Sequence, residues 1–329
     1  MKNFPILITS IGGPPGKSAF ESLKLEGFKK LYTCDSNKKC ARYILKSKDF
    51  FLVPEVNNKD YFKKIKKIII NNKIKILIPC IETEVLFWSK YKNKLKNILI
   101  LVPPLDSLKI AVNKYSIYKL VKKLKLPTLK TEYIKTKFNK IKTKIKYPFI
   151  IKPSFSWGMK DFFLIQNRNE LLKFKFHLKG EYIIQKYLKS NEQNIFAVGL
   201  LYNEKSQCVL DFCSKSLSTV NKLGGAATSG IEVKNKDLIL KSKKVIDSIG
   251  KWCGPVMIEW IYNKKNKKFY LIDINPRLWG YSILPTFNGK NFALNIVKIL
   301  LKQKIKIEKI KYKYLFVRDS INLRKKITK

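Results

Sequence analysis

The chain has 329 residues, enough to bury a sizeable core and to hold two or three structural units. A hydrophobic fraction of 45% and 20 phenylalanines exclude a disordered chain, and no apolar run reaches the roughly 18–20 residues of a membrane span. The net charge of +46 raises nucleic acid or an anionic surface as a partner, but the lysines are dispersed among Ile and Asn along the whole length. Dispersion of that kind reads as a compositional bias. Cys34, Cys40, Cys80, Cys208, Cys213 and Cys253 form no C-x-x-C pair, and His177 is the only histidine. Zinc sites and a disulfide framework are therefore not expected, and a reducing cytoplasm fits.

Pro5 to Ser10 reads as a first strand and not as a secretory leader. Ile11 to Ser18 is a glycine- and proline-rich turn, followed by a helix through Leu25. Gly16-Lys17-Ser18 is not the end of a phosphate loop, because that motif needs glycine where Ile11 stands. Lys29 to Cys34 is the next strand, closed by Asp35, which either holds a ligand hydroxyl or caps the following helix. Ile74–Pro79 and Asn97–Val102 read as two further strands, with an amphipathic helix over Glu82–Lys96 between them. Together these segments predict an α/β unit with a parallel sheet.

Val112 to Leu124 has helical spacing, and Pro127 stops it. Tyr147 to Pro153 is a strand whose apolar run ends in Lys152. The small-residue turn Ser154 to Gly158 follows, and Asp161–Ile165 returns as a strand. Glu181 to Leu188 is another strand, running into a polar bend at Glu192. Phe196–Tyr202 and Gln207–Ser214 pair as strands. Lys215 to Gly230 reads as a long small-residue loop of the kind that carries function. Leu238–Lys251 is a helix, and Arg324 to Lys329 reads as a solvated basic tail.

Val256–Tyr262 and Phe269–Asn275 form a hairpin through a polar turn. Period two puts Asp273 and Asn275 on one face, opposite Glu259, with Arg277 just past the strand end at Pro276. Two carboxylates and an amide oxygen suit Mg²⁺, and the guanidinium fork suits a phosphate or carboxylate.

The ordered set Asn113-Lys114, Pro148 to Pro153 with Lys152, Gln185 to Leu188 with Glu192, Glu259, and Asp273 to Arg277 resembles the ATP-grasp superfamily. It is most similar to members like the carbamoyl phosphate synthase large subunit and biotin carboxylase. The resemblance covers nearly the whole chain, and five soft motifs in the right order make it specific. It implies the ATP-grasp fold, an α/β architecture with an α+β lid and an N-terminal doubly wound parallel sheet. The implied units are a substrate domain over residues 1–106, a lid over 107–188 and a catalytic subdomain over 189–312, leaving a basic tail over 313–329.

The resemblance also implies ATP and Mg²⁺ as cofactors, with Mn²⁺ as a substitute ion. Lys114 and Lys152 would contact the nucleotide phosphates, and Ser154, Ser156, Trp157 and Gly158 would close over them. Gln185, Lys186 and Leu188 would line the adenine, and Glu192 the ribose. Glu259, Asp273 and Asn275 would hold the metal, Arg277 would steady the transferred phosphate, and Lys215 would approach it. Asp273 and Gln185 each stand where the family usually has Glu. Neither departure removes a required charge, and the Gln185 amide still offers an acceptor to the adenine amino group.

The expected activity is ligation of a carboxylate to an amine or a thiol through an acyl-phosphate, with ATP converted to ADP and phosphate. Its alternatives are bicarbonate phosphorylation of the carbamoyl-phosphate kind, or a basic nucleotide-binding or nucleic-acid-associated protein without turnover. Expected partners are a small carboxylate and an amine, with no membrane and with nucleic acid weighed against. A homodimer fits the habit of the family. The acceptor is expected near Gly12–Gly16 and Lys215–Gly230.

Overall fold

The computed structural model describes residues 1–38, 49–135, 141, 143–155, 161–174, 180–188, 194–221, 224–305, 307 and 314–318. The first unit holds β1 (Ile6–Ile8), α1 (Pro14–Leu25), β2 (Leu31–Asp35), β3 (Phe50–Leu52), α2 (Tyr61–Asn71), β4 (Ile76–Ile78) and α3 (Glu82–Tyr91). Its four strands are parallel in the order β3-β2-β1-β4, as the βα alternation predicts. Two expectations there are corrected. Helix α1 starts at Pro14 and not after Ser18, because proline at the first helical position has its φ already set. The expected strand Asn97–Val102 shrinks to one parallel bridge, Ile76 to Leu99, since Asn97 has a left-handed φ of 63° and Pro103 follows closely.

The helix expected over Val112–Leu124 is α5 (Lys114–Lys123), and a separate helix α4 (Leu105–Val112) precedes it. Asn113 leaves the helical conformation, and its side chain accepts from the Ser116 N–H at 2.8 Å, capping α5. A second, antiparallel sheet holds β5 (Thr131–Lys135), β6 (Phe149–Pro153), β7 (Phe163–Ile165) and β8 (Glu181–Lys186), in the order β5-β8-β6-β7. The helix α6 (Arg168–Phe174) lies between β7 and β8 in the chain. Phe149, Ile151, Ile165 and Ile184 form a small core of their own.

The third sheet is antiparallel and six-stranded, in the order β13-β12-β9-β10-β11-β14. Its strands are β9 (Ile195–Tyr202), β10 (Cys208–Asn221), β11 (Gly224–Glu232), β12 (Gly254–Asn263), β13 (Lys268–Asn275) and β14 (Leu315–Val317). Helices α7 (Lys236–Asp247), α8 (Ile283–Phe287) and α9 (Phe292–Leu300) complete the chain. Period-two alternation divides β9 between two cores: Val198 and Leu200 join Val256, Ile258 and Trp260, while Ala197 and Leu201 join Met257, Phe212 and Trp279.

Two more expectations give way here. Lys215–Gly230 is not a loop, because β10 and β11 pair along it. Ser, Thr and Gly lack apolar alternation, yet their backbones make the same ladder. Nor is 313–329 tail throughout: Leu315–Val317 pairs with Ser229–Ile231 and covers what would be an open strand edge. Among the described residues no helix is long and apolar enough to cross a membrane.

Trp279, buried to 1% exposure, packs the outer edge of its indole against β9 at Gly199. A Cβ at position 199 would fall 2.2 Å from Trp279 Cη2, so only glycine lets the indole approach the sheet. Gly199→Ala is predicted to destabilise the protein by about 2–3 kcal/mol through overpacking, measured as a shifted urea midpoint with an unchanged m-value.

Candidate active site

The antiparallel register of β12 and β13 places Glu259 directly opposite Asp273, and a bulge follows at Trp260. Across β12, Glu259 pairs with Ala197, and Ala197 pairs in turn with Ser214. One row of the sheet therefore runs Asp273, Glu259, Ala197, Ser214. Lys114, released by the break before α5, brings its Nζ to 3.6 Å from Asp273 Oδ1. Its backbone N–H donates to Ser154 O at 2.9 Å, which ties α5 to the end of β6.

Burial pushes the Glu259 carboxyl up to about 7, and the Asp273 charge adds to the rise while Arg277 opposes it. Burial also pulls Lys152 down to about 8, with Lys114 repelling its charged form and Asp273 and Glu259 partly restoring it. In both groups loss of water around the charged form is the leading cause. A half-buried carboxylate pair beside Lys114 and Arg277 has the hard oxygen atoms that suit a dication. Among the described residues no three His, Cys, Asp or Glu side chains cluster as a metal group.

Arg277 is fixed from two domains. Its Nε and Nη2 meet Glu82 Oε1 at 2.8 and 2.7 Å, Nη2 donates to Asn275 Oδ1 at 3.1 Å, and Nη1 donates to Leu278 O at 3.0 Å. Glu82 opens α3, on the parallel-sheet unit, and the sequence reading missed it. Its only signal is an acid in the first turn of a helix after a strand, which the helix dipole alone explains.

A narrow cleft is lined by Lys114, Ile117, Leu129, Lys152, Gln185 and Asp273. Gln185 is buried, and its Nε2 donates to Thr131 Oγ1 at 2.9 Å. Thr131 spends its own proton on Leu129 O at 2.8 Å, so the Gln185 amide orientation is fixed. That leaves Gln185 Oε1 buried with no partner among the described residues, an acceptor open to a ligand N–H. Ser154 Oγ is likewise buried and without a partner among the described residues.

The structure thus assembles Lys114, Lys152, Ser154, Gln185, Glu259, Asp273, Asn275 and Arg277. Lys186 is exposed at the end of β8, and Leu188 is half-buried just beyond it. Lys215 does not join the group. It pairs with Phe196 and Ile231, one residue out of step with Ser214, so the pleat turns it to the opposite face from Glu259. Ser214 instead faces Tyr281, with Oγ and OH 3.1 Å apart. Ser156, Trp157, Gly158 and Glu192 lie outside the described residues.

Near the glycine turn, both Asp35 oxygens accept backbone N–H groups, from Gly12 at 2.7 Å and Asn37 at 2.8 Å. Asp35 therefore braces the turn. Gly16 is required by packing, since a Cβ there would lie 2.5 Å from Ser10 O.

Residues 111–281 match the ATP-grasp domain family, and residues 6–102 match the PylC-like N-terminal domain. The chain belongs to the ATP-grasp domain family. Its fold is shared with solved structures at low sequence identity. N5-carboxyaminoimidazole synthetase from Staphylococcus aureus, complexed with ADP, is 18% identical with a TM-score of 0.69, over 93% of this chain and 81% of that one. Biotin carboxylase from Campylobacter jejuni, in a β-γ-ATP complex, is 15% identical with a TM-score of 0.69, over 93% and 72%. L-amino acid ligase from Bacillus licheniformis is 14% identical with a TM-score of 0.67, over 91% and 74%. No curated protein sequence matches the chain.

Two predictions test this geometry. Glu82→Ala strands the Arg277 guanidinium, whose side chain is 15% exposed, and is expected to cost about 3 kcal/mol of stability. The Glu82→Ala/Arg277→Ala double variant is expected to lose less than the sum of the singles in denaturant titrations. Glu259, raised from about 4.3 in the unfolded chain, stabilises the fold only while it holds its proton. Metal-free protein should therefore lose Tm as pH rises from 6 to 7.5, and Mg²⁺ with ADP should abolish the loss. Glu259→Gln should show no such slope.

Proposed function

We propose that the protein is an ATP-dependent ligase that activates a carboxylate as an acyl-phosphate and passes the acyl group to an amine. The observation that carries this reading is the Glu259–Asp273 pair beside Lys114, Lys152 and Arg277, with the open Gln185 acceptor lining the same cleft as both lysines. The named neighbours include a carboxylase, an amino acid ligase and a synthetase in complex with ADP, and the same reaction class accommodates each. In this reading residues 1–106 bind substrate, 107–188 form a lid and 189–312 carry the chemistry.

The adenine amino group donates to Gln185 Oε1, and the Thr131 hydroxyl keeps that oxygen aimed at it. Lys114 and Lys152 bind the phosphate oxygens. A bound polyphosphate would return Lys152 toward its ordinary pKa, so that it carries full charge during transfer. Glu259, Asp273 and Asn275 would hold Mg²⁺, which neutralises phosphate oxygens when bound. Arg277, locked by Glu82, stabilises charge on the phosphate in transfer without reorganising. The substrate carboxylate oxygen attacks the γ-phosphorus, ADP leaves, and the amine nitrogen then attacks the acyl carbon and expels phosphate. No protein nucleophile is needed. The work of the side chains is positioning and charge stabilisation.

The test is ADP and phosphate release from Mg-ATP, screened against pools of carboxylates with amines. Release is expected to rise with one carboxylate–amine pair and to fall at least about a hundredfold in Asp273→Ala, the scale set by losing a preorganised electrostatic contact. Wild-type protein with no saturable Mg-ADP binding would sink the reading.

A further inference from the structure

Arg318 closes the far side of the same sheet. Directly after β14 its N–H donates to Thr228 O at 2.6 Å, and its guanidinium turns back over Gly280. A Cβ built on Gly280 would lie 3.0 Å from Arg318 Nη2 and 3.0 Å from Pro14 Cβ. The guanidinium, the segment that follows Arg277, and the first turn of α1 therefore converge on one point. Ser18 fixes that junction by donating to Gly280 O at 2.9 Å.

Arg318 Nη2 is buried and has no hydrogen-bond partner among the described residues. Burial lowers the pKa of the group, and no carboxylate among the described residues raises it. The first turn of α1 carries no acid either. A guanidinium holding a structure together normally finds an acceptor for each buried N–H, and a missing acceptor marks a donor kept for a ligand. The link to the chemistry is short. Tyr281, next to Gly280, stacks on Phe316 of β14 at 5.6 Å and meets Ser214 on the row that leads to Glu259.

We propose that Arg318 recognises a second anionic group on the substrate, a carboxylate or a phosphate distinct from the carboxylate that reacts. This rests on the ligase reading and narrows it, because the substrate class becomes an acid carrying a further negative charge. Gly280 is the cradle: any side chain there would take the space the guanidinium needs. The glycine turn braced by Asp35 supplies the opposite wall through Pro14.

The test is ligand-induced Tm shift on the full chain, with succinate and inorganic phosphate as probes and sodium chloride at matched ionic strength. Wild type is compared with R318Q, with R318K, and with K66Q, which removes an exposed lysine of α2 and controls for the net charge. The expected result is a saturable shift in wild type and K66Q, weakened at least about tenfold in R318Q, with intermediate affinity in R318K, which keeps the charge but not the fork. Preference for succinate or for phosphate tells the carboxylate from the phosphate. Identical titrations of wild type and R318Q, or no saturation in wild type, overturn the proposal. A parallel Mg-ADP titration judges the nucleotide site separately, and its shift should be equal in wild type and R318Q.

Discussion

Glu259 and Asp273 face each other across an antiparallel ladder, and no side-chain rearrangement can relieve that pairing because the backbone register sets it. Burial and the Asp273 charge together raise the Glu259 carboxyl into the neutral range. Everything around the pair answers this concentration of negative charge. Lys114 is delivered by a helix that starts at a break in the chain, Lys152 by the end of β6, and Arg277 by the turn that Pro276 forces. Burial, with repulsion from Lys114 second, keeps Lys152 below its usual range.

The same cluster couples the units of the fold. Arg277 belongs to the six-stranded sheet's domain, but its guanidinium is held by Glu82 from the parallel-sheet unit. Ser18 and Gly280, Ser22 and Thr286, and Asn291 with Glu26 continue the contact between α1 and the segments after β13. A displacement of the N-terminal unit therefore moves the arginine. The Lys114 N–H to Ser154 O bond ties α5 to the β5-β8-β6-β7 sheet at this point.

A separate polar network lies behind α3. Glu84, fully buried, accepts from Thr9 Oγ1, from the Tyr61 hydroxyl at 3.0 Å and from the Cys80 N–H at 3.4 Å. Burial raises its pKa, and these donors oppose the rise. The network fixes the β4–α3 turn, and with it the direction in which Glu82 leaves toward Arg277. Two acids separated by one residue thus have different tasks, and only their surroundings distinguish them.

Period two in 271–275 set the face shared by Asp273 and Asn275, and the apolar βα alternation set the parallel sheet, because both patterns are written in neighbouring residues. The Asp-x-Asn-Pro-Arg order likewise announced the cluster before any packing was known. Glu82, Thr131 and Arg318 were not legible, since their meaning depends on partners tens to hundreds of residues away. Lys215 was misplaced by one step of a pleat that small residues hid inside an apparent loop. The sequence alone determined which elements form and which residue types carry charge. Tertiary structure alone decided which of those charges lose their water and face each other, because burial and register are properties of the assembled sheets.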